Sequence, residues 1–125
     1  MIFKKKMAFT LNELVIVVVL LGILAAIAIP SYFLTVQKSR AKEAKSALGL
    51  IQAGQKIYYS RTKAYLNDGN IANINSQLGL SLEESYWNYS ANNGPPNNIG
   101  TAVRGACTYT VSTIGAITGT ASCPE

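Results

Sequence analysis

The chain has 125 residues, 49% of them hydrophobic and 14% charged, which leaves room for one small domain and an additional apolar segment. Its formal charge is +5, but Lys4, Lys5 and Lys6 supply three of the eleven positive charges, so a basic surface for nucleic acid is only weakly supported. Because there is no histidine and there are only two cysteines, histidine acid–base catalysis and histidine or zinc metal sites are excluded.

A long apolar run follows the three lysines, and residues 14–29 contain no charged or hydrogen-bonding side chain. As a helix these residues extend about 24 Å, and extending the helix back to Phe9 gives about 31 Å, enough for the ~30 Å hydrocarbon layer. Lysines ahead of such a run hold the N-terminal end in the cytoplasm, so the residues after Pro30 would be exported. We therefore predict a membrane anchor over residues 9–30.

Two other interpretations remain for this segment, a secretory signal peptide and a buried helix. The small residues of Ala26-Ile27-Ala28 have the spacing that signal peptidase prefers. Against cleavage there, Pro30 would lie two residues after the cut, and the chain continues directly as a helix without a new start signal. A mature chain that begins at Ile29 would establish the signal peptide.

Glu13 is the feature that a general membrane anchor does not explain. A carboxylate in mid-membrane costs about 2.5 to 3.5 kcal/mol, less near an interface, and such groups are usually functional and paired. The alternative is a Glu13 that is solvated at the headgroup level or favoured by a helix N-terminus. The residues alone leave both interpretations open.

The sequence KKKMAFTLNELVIVVVLLGILAAIAIPSYF, residues 4–33, resembles the N-terminus of type IV pilin precursors. In that family a prepilin peptidase removes a basic leader on the cytoplasmic side of the membrane, just before a residue that is N-methylated and is usually Phe. The resemblance implies removal of residues 1–8 by cleavage between Ala8 and Phe9, and N-methylation of Phe9. The family usually has Gly before the cut, where this chain has Ala8.

The resemblance also implies a partner for Glu13, which is the fifth residue counted from Phe9. Cleavage creates an α-amino group at Phe9 that is positive near neutral pH. When helices of successive subunits stack with a stagger, this amine can meet Glu13 of a neighbour. Because an unpaired carboxylate in a helix bundle is costly, other staggers are disfavoured.

Gly22 and Pro30 lie where the family usually has a Gly and a Pro in its long helix. Pro30 removes one helical hydrogen bond, and Gly22 lowers the helix propensity. The stretch between them is therefore the easiest part of the helix to unwind, and the resemblance implies a helix break there in the filament.

After Pro30 the pattern predicts that the helix continues as an amphipathic helix over residues 31–60. The charged side chains of Lys38, Lys42, Glu43 and Lys45 fall mostly opposite an apolar stripe with one charged member. That stripe consists of Phe33, Val36, Arg40, Ala44, Ala47, Ile51, Gly54 and Tyr58. We expect the stripe to pack on a folded head formed by residues 61–125.

Residues 61–125 predict a loop followed by a small antiparallel sheet. The loop, residues 61–85, contains the turn Asn67-Asp68-Gly69 and four apolar residues that could fix it to the helix, Ile74, Leu78, Leu80 and Leu82. The segment SYWNYSA, with Tyr86, Trp87 and Tyr89, predicts one strand, and NNGPPNN predicts a loop. TAVRGACTYTVST and AITGTAS predict further strands. These elements give an α+β fold, a long N-terminal helix packed on a small sheet, which is the type IV pilin fold that the resemblance implies.

Cys107 and Cys123 are the only cysteines, and they would lie on the exported side of the membrane. An oxidising compartment favours a disulfide between them, worth about 3 kcal/mol in the chain-entropy model. The resemblance implies the same pairing, since a C-terminal disulfide loop is common in the family.

No catalytic arrangement emerges, because Glu83-Glu84 is typical of a solvated surface pair and no other candidate acid and base lie together. The leading function is therefore structural, and no cofactor is predicted. The resemblance implies a major pilin of the type IVa kind that polymerises through its N-terminal helix into a homo-oligomeric filament. Its implied partners are the prepilin peptidase, the pilus assembly machinery and, for the precursor, the bacterial inner membrane; the mature filament is extracellular.

The alternatives are a DNA-uptake pilin, a minor pilin and a type II secretion pseudopilin. A DNA-handling pilin would attract phosphates through Lys38, Arg40, Lys42, Lys45 and Arg104. A pseudopilin usually lacks the terminal disulfide and often has an acidic calcium-binding loop, whereas the only Asp in this chain is Asp68.

Overall fold

The computed structural model describes residues 8–125, which fall into two compact units that meet between Val36 and Gln37. We call residues 8–36 the stem and Gln37–Glu125 the head, so that from here on the head includes the second half of α1 as well as residues 61–125. The chain forms six elements in the order α1 (Leu11–Thr62), α2 (Ile71–Leu78), β1 (Asn88–Gly94), β2 (Asn98–Arg104), β3 (Cys107–Val111) and β4 (Ile117–Gly119). The long N-terminal helix and the antiparallel sheet confirm the predicted α+β fold.

Helix α1 buries side chains only in the head. Its buried residues are Ala41, Ala44, Ala47, Leu48, Ile51, Gly54 and Gln55. The predicted apolar stripe is confirmed at Ala44, Ala47, Ile51 and Gly54, whereas Val36, Arg40 and Tyr58 are half-buried. The prediction was wrong for Phe33, which is 62% exposed. The lysines of the opposite face are exposed, as predicted.

Two glycines allow the close packing of the head. A Cβ atom added at Gly100 would lie 2.8 Å from Ile51 Cγ2, so strand β2 approaches α1 directly at this position. A Cβ atom added at Gly54 would lie 2.8 Å from Leu78 Cβ, so α2 approaches the same helix one turn later. Because real Cβ contacts are essentially never this short, both positions require glycine for the helix to pack as it does.

The segment predicted as an irregular loop contains the short helix α2, and the prediction was wrong for these eight residues. Asn70 caps the N-terminus, because its side chain accepts hydrogen bonds from Ala72 N and Asn73 N. Gly79 ends the helix in the left-handed conformation with φ 68°. Ile74 and Leu78 are buried, which confirms that they fix this segment to the core.

The sheet has the strand order β1-β2-β3-β4, and every neighbouring pair is antiparallel. The prediction was wrong for Tyr86 and Trp87, which precede β1 rather than form part of it. The long segment TAVRGACTYTVST is divided into two strands by a turn at Gly105, whose φ is 56°. The predicted loop around Pro95-Pro96 connects β1 to β2. Residues that alternate along the strands, among them Tyr89, Ala102 and Tyr109, face the helix and form the core.

Gln55 is the one fully buried polar residue of the helix, and its amide joins four segments of the head. Its Nε2 lies 2.9 Å from Leu66 O, 3.0 Å from Ile99 O and 3.3 Å from Asn92 O, and its two hydrogens are shared among these three acceptors. Its Oε1 accepts from Leu66 N at 2.8 Å. One side chain therefore connects α1 to the loop after it and to the strands β1 and β2.

Cys107 and Cys123 form a disulfide, as predicted. Cys107 begins β3 and is buried, whereas Cys123 follows β4 near the C-terminus. The Tyr109 hydroxyl donates to Pro124 O, and Thr120 N donates to Thr108 O at 3.0 Å. The C-terminal segment is therefore attached to β3 by one covalent bond and by hydrogen bonds on both sides of it.

Candidate assembly surface

The stem exposes a continuous apolar surface. Every residue from 8 to 35 is exposed in the structure, and the large hydrophobic side chains of this segment range from 49% exposed at Val15 to 83% exposed at Phe9. Helix α1 is long and apolar enough to cross a membrane. An isolated surface of this kind is unfavourable in water, because each fully exposed Leu, Ile or Val forgoes roughly 1.5–3 kcal/mol of burial.

Glu13 is held at the beginning of α1 by Thr10. Its Oε2 accepts hydrogen bonds from Thr10 N at 2.9 Å and from Thr10 Oγ1 at 3.0 Å, while Glu13 N donates to Thr10 Oγ1 at 3.2 Å. This reciprocal arrangement is a capping box, in which the side chains of the N-cap residue and of the third helical residue satisfy each other's backbone donors. It leaves Glu13 Oε1 without a hydrogen bond among the described residues.

The capping box holds the carboxylate at the end of the helix where the macrodipole is positive. This is one of the two interpretations that the sequence left open for Glu13. Pairing of Glu13 with a second subunit is a contact between chains, and it stays a prediction. The two roles are compatible, because Oε2 faces Thr10 and Oε1 has capacity for another donor.

The predicted cleavage residues, Ala8 and Phe9, lie just before α1 and are both exposed. The lysines Lys4, Lys5 and Lys6 and the rest of the predicted leader, residues 1–7, lie outside the described residues. An exposed and non-helical cleavage bond is accessible to a protease, so this geometry agrees with the predicted processing without testing it.

The predicted helix break between Gly22 and Pro30 is a prediction about the assembled filament. In this structure α1 continues through both residues from Leu11 to Thr62. Pro30 cannot donate to the carbonyl of Ala26, and a side chain at Gly22 would meet no other atom within 4 Å. The helical hydrogen bonds of this stretch are therefore weakened, and within residues 8–125 no packing contact would prevent its unwinding.

The head exposes a second apolar surface on α1. Gly49, Leu50, Ala53 and Ile57 follow helical spacing and are all exposed, with Leu50 at 50% and Ile57 at 53%. They lie away from the buried residues that pack on the sheet. We call this set of four residues the outer apolar strip.

The basic residues proposed for DNA do not form one surface. Arg40 and Arg104 come together at the ring of Tyr86, whereas Lys45 lies over the ring of Tyr109 at 5.5 Å from its centroid. Lys38 and Lys42 are exposed on the helix and have no ion-pair partner in the part of the chain that the structure describes. The arrangement brings together two of the five predicted residues.

The titratable groups of the head with a resolved shift are tyrosines in the core. Burial, with smaller contributions from Glu43 and Glu84, raises the pKa of Tyr89 to about 12. Burial also raises the pKa of Tyr109. Within residues 8–125 there is no group of three or more Cys, Asp or Glu side chains that could hold a metal ion. These tyrosines are structural, because they are kept neutral inside the core.

Sequence reasoning missed two residues with central positions, Thr10 and Gln55. The signal for Thr10 was available, since Thr-x-x-Glu ahead of an apolar run is the pattern of a capping box. Gln55 gave no comparable signal, because a single glutamine in an amphipathic helix is usually exposed.

Known type IV pilins are similar to about half of this chain. The type IV major pilin protein PilA of Myxococcus xanthus (strain DK1622) is 44% identical over 62 residues, which cover 50% of this chain and 28% of the relative. The type IV major pilin protein PilE1 of Neisseria gonorrhoeae is 40% identical over 77 residues, covering 62% and 43%. A fimbrial protein of Neisseria meningitidis serogroup A is 40% identical over 73 residues, covering 58% and 39%.

The matched part of the chain spans less than half the length of each of these relatives. No family model matches the chain. No solved structure matches it significantly. The similarity and the observed helix-and-sheet architecture agree with each other, and both confirm the resemblance to type IV pilins.

Proposed function

We propose that this chain, a member of the type IV pilin family, is a structural subunit that polymerises into an extracellular pilus filament through its N-terminal helix. The observation that carries the proposal is the exposed apolar surface of the stem, which is interrupted by a single carboxylate at Glu13. A bilayer can cover this surface in the precursor, and other copies of the same helix can cover it in the filament. The subunit is thereby transferred from lipid to a homo-oligomer without exposing the stem to water.

The precursor is processed before assembly. Prepilin peptidase removes residues 1–8 by cleaving between Ala8 and Phe9, and Phe9 is then N-methylated. Cleavage leaves the capping box intact, because Thr10 and Glu13 both remain in the mature chain. It adds a positively charged amine one residue before Thr10.

Glu13 sets the stagger between subunits. In the filament core the amine of Phe9 of an incoming subunit pairs with the free Oε1 of Glu13, while Oε2 keeps its hydrogen bonds to Thr10. A stagger that leaves Glu13 without this partner buries an uncompensated charge, a situation that costs roughly 3–5 kcal/mol when one partner of a buried pair is removed. Assembly therefore selects one register.

The remaining part of α1 adapts to the filament. The helix unwinds between Gly22 and Pro30, where its backbone ladder is weakest, and this lets the stem change direction while the head stays folded. The outer apolar strip of Gly49, Leu50, Ala53 and Ile57 faces the filament core, where it covers apolar surface of other stems. The assembly machinery and the inner membrane act on the subunit before this stage.

Replacing Glu13 by Gln and by Ala tests the proposal in cells that produce the protein. Both variants should be inserted and cleaved like the wild type, because neither residue adds a charge to the apolar segment. Both should give roughly 10-fold fewer filaments, since loss of even about 1.4 kcal/mol of register energy per contact lowers an assembly constant 10-fold. Electron microscopy and immunoblotting of sheared filaments measure the yield.

Glu83→Ala is the matched control, because Glu83 is an exposed head carboxylate without an ion pair in the described part of the chain. It should assemble normally. Wild-type filament yield from both Glu13 variants would contradict the role of Glu13, and a chain found as a water-soluble monomer would contradict the filament function itself.

A further inference from the structure

Two arginines of the head, Arg40 and Arg104, contact one aromatic ring. The guanidinium carbon of Arg104 lies 3.9 Å from the centroid of the Tyr86 ring, and that of Arg40 lies 4.5 Å from it. Arg104 Nη1 also donates to Tyr86 O at 3.1 Å. Residues from two separate elements, α1 and the end of β2, thus both contact the ring of Tyr86.

The core residue Trp87 supports the backbone of Arg40 and the ring of Tyr86. The indole Nε1 of Trp87 donates to the backbone oxygen of Arg40 at 2.9 Å, and the Trp87 ring packs against Tyr86 with centroids 5.5 Å apart. Trp87 is 2% exposed, so the side chain that makes these contacts belongs to the packed core. These contacts therefore fix the backbone of Arg40 and the Tyr86 ring that both guanidinium groups contact.

A cavity of about 410 Å³ adjoins the arginines. Its polar lining includes Arg40, Arg104, Gln37 and Ser122, and its apolar lining includes Ala121 and Pro124 of the C-terminal segment. Among the residues that the structure describes, no carboxylate lines it. The cavity therefore contains hydrogen-bond donors and positive charge without an acidic side chain of its own.

The arginines have most of their donors unused. In the described residues Arg104 has no ion pair, and Arg40 has a single one with Glu43, at 3.3 Å between exposed groups. An exposed pair of this kind contributes about 0–1 kcal/mol and exchanges readily. Each guanidinium carries five N–H donors, so both can bind an anion and keep the contacts that position them.

We propose that this cavity binds a phosphate monoester, with Arg40 and Arg104 as the anion ligands and the side chains of Gln37 and Ser122 as further donors. A planar carboxylate matches one arginine fork, whereas a phosphate offers three oxygens in different directions and suits donors that come from two elements. The cavity is larger than a phosphate group, and its apolar wall leaves room for the small organic group that the phosphate esterifies. This site is separate from the stem, so it goes beyond the proposed assembly function.

Binding of glycerol 3-phosphate to the full chain in a non-ionic detergent tests the proposal by isothermal titration calorimetry at physiological salt. The wild type should bind one equivalent saturably, and inorganic phosphate should compete for the same site. Ser122→Asp should weaken binding by at least about 10-fold, because it places a negative charge in the cavity. Ser122 is exposed and takes no part in the contacts of the two arginines with Tyr86, so this variant leaves those contacts intact.

Ser76→Asp is the matched control, since Ser76 is an exposed serine on α2 outside the cavity, and it should change the affinity by less than about twofold. Arg104→Gln should also weaken binding at least about 10-fold, with Trp87 fluorescence used to confirm that the head remains folded. Three results would overturn the proposal. They are absence of saturable binding by the wild type, equal losses in Ser122→Asp and Ser76→Asp, or binding of duplex DNA without binding of glycerol 3-phosphate.

Discussion

Replacing Gln55 by Leu should destabilise the head more than any other single polar substitution in α1. The side chain is fully buried, and its amide forms hydrogen bonds with backbone groups of Leu66, Asn92 and Ile99. Leucine has nearly the same volume and is apolar, so the change removes hydrogen bonds without opening a large cavity. The backbone groups of the loop and the strands then lose their partner inside the protein.

The cost follows from the groups that are left unpaired. Leu66 N and Ile99 O both face Gln55, at 2.8 and 3.0 Å, and a buried donor or acceptor without a partner costs about 1–3 kcal/mol. We expect a net loss of about 3 kcal/mol, because the leucine recovers part of the cost by burial of its apolar surface. For a folded unit of this size, that corresponds to a decrease of roughly 12–24 °C in the unfolding midpoint.

Thermal and urea unfolding of the full chain in detergent measures the effect through Trp87, the only tryptophan and a core residue of the head. Helical circular dichroism is less suitable, because half of α1, residues 11–36, lies in the stem and contributes to the signal. Gln52→Leu is the control. Gln52 lies on the same helix and makes one hydrogen bond, to Thr113 O at 3.0 Å, so it should lose only about 1 kcal/mol. Equal stability of the two variants would refute the central role of Gln55.

Three other changes test the head. Cys123→Ser opens the disulfide, whose sequence separation is 16, and should cost about 3 kcal/mol in the same unfolding assay; an unchanged midpoint would contradict this. Gly100→Ala places a Cβ atom 2.8 Å from Ile51 Cγ2 and should cost about 1–3 kcal/mol, whereas Gly49→Ala meets nothing within 4 Å and should stabilise the helix by up to about 1 kcal/mol. Burial raises the pKa of Tyr89 from its ordinary 10.0 to about 12. The stability that comes from keeping Tyr89 neutral is therefore complete below pH 10 and is lost as the pH rises towards 12. Absorbance titration should show at least one tyrosine that ionises only as the head unfolds.

Local patterns predicted most of the helix and the strands. The three- and four-residue spacing of apolar residues after Pro30 identified Ala44, Ala47 and Ile51 as buried, because a continuous helix places such residues on one face. The loop at the proline pair, residues 95–96, and the exposure of the lysines on α1 were also predicted, since both depend on properties of single residues.

Tertiary contacts decided what local patterns could not predict. Helix α2 was missed because its eight residues are too few to show a period, although Asn70 and Gly79 are its capping signals. Tyr86 and Trp87 have strong strand propensity, but Trp87 packs into the core through its indole and precedes the sheet. The joint position of Arg40 and Arg104 depends on the fold, because 63 residues of chain separate two side chains that contact the same ring.

For the candidate assembly surface, the sequence predicted the apolar stem and Glu13 but not the way in which Thr10 holds that carboxylate. The capping box changes the physical description of Glu13, since the group is already partly satisfied in the single chain. In the proposed filament, the energy that sets the register therefore comes from pairing of Glu13 Oε1 and its charge with the Phe9 amine, because Oε2 already has its hydrogen bonds to Thr10.

Electron cryomicroscopy of filaments sheared from cells tests the central claim most directly, because it shows what covers the stem after it leaves the membrane. The account predicts that residues 9–29 are surrounded by the same segment of other copies. It also predicts that the α-amino group of Phe9 in one subunit lies beside the carboxylate of Glu13 in another. Stems that contact no other copy, or a Glu13 that faces bulk water in the polymer, would contradict it.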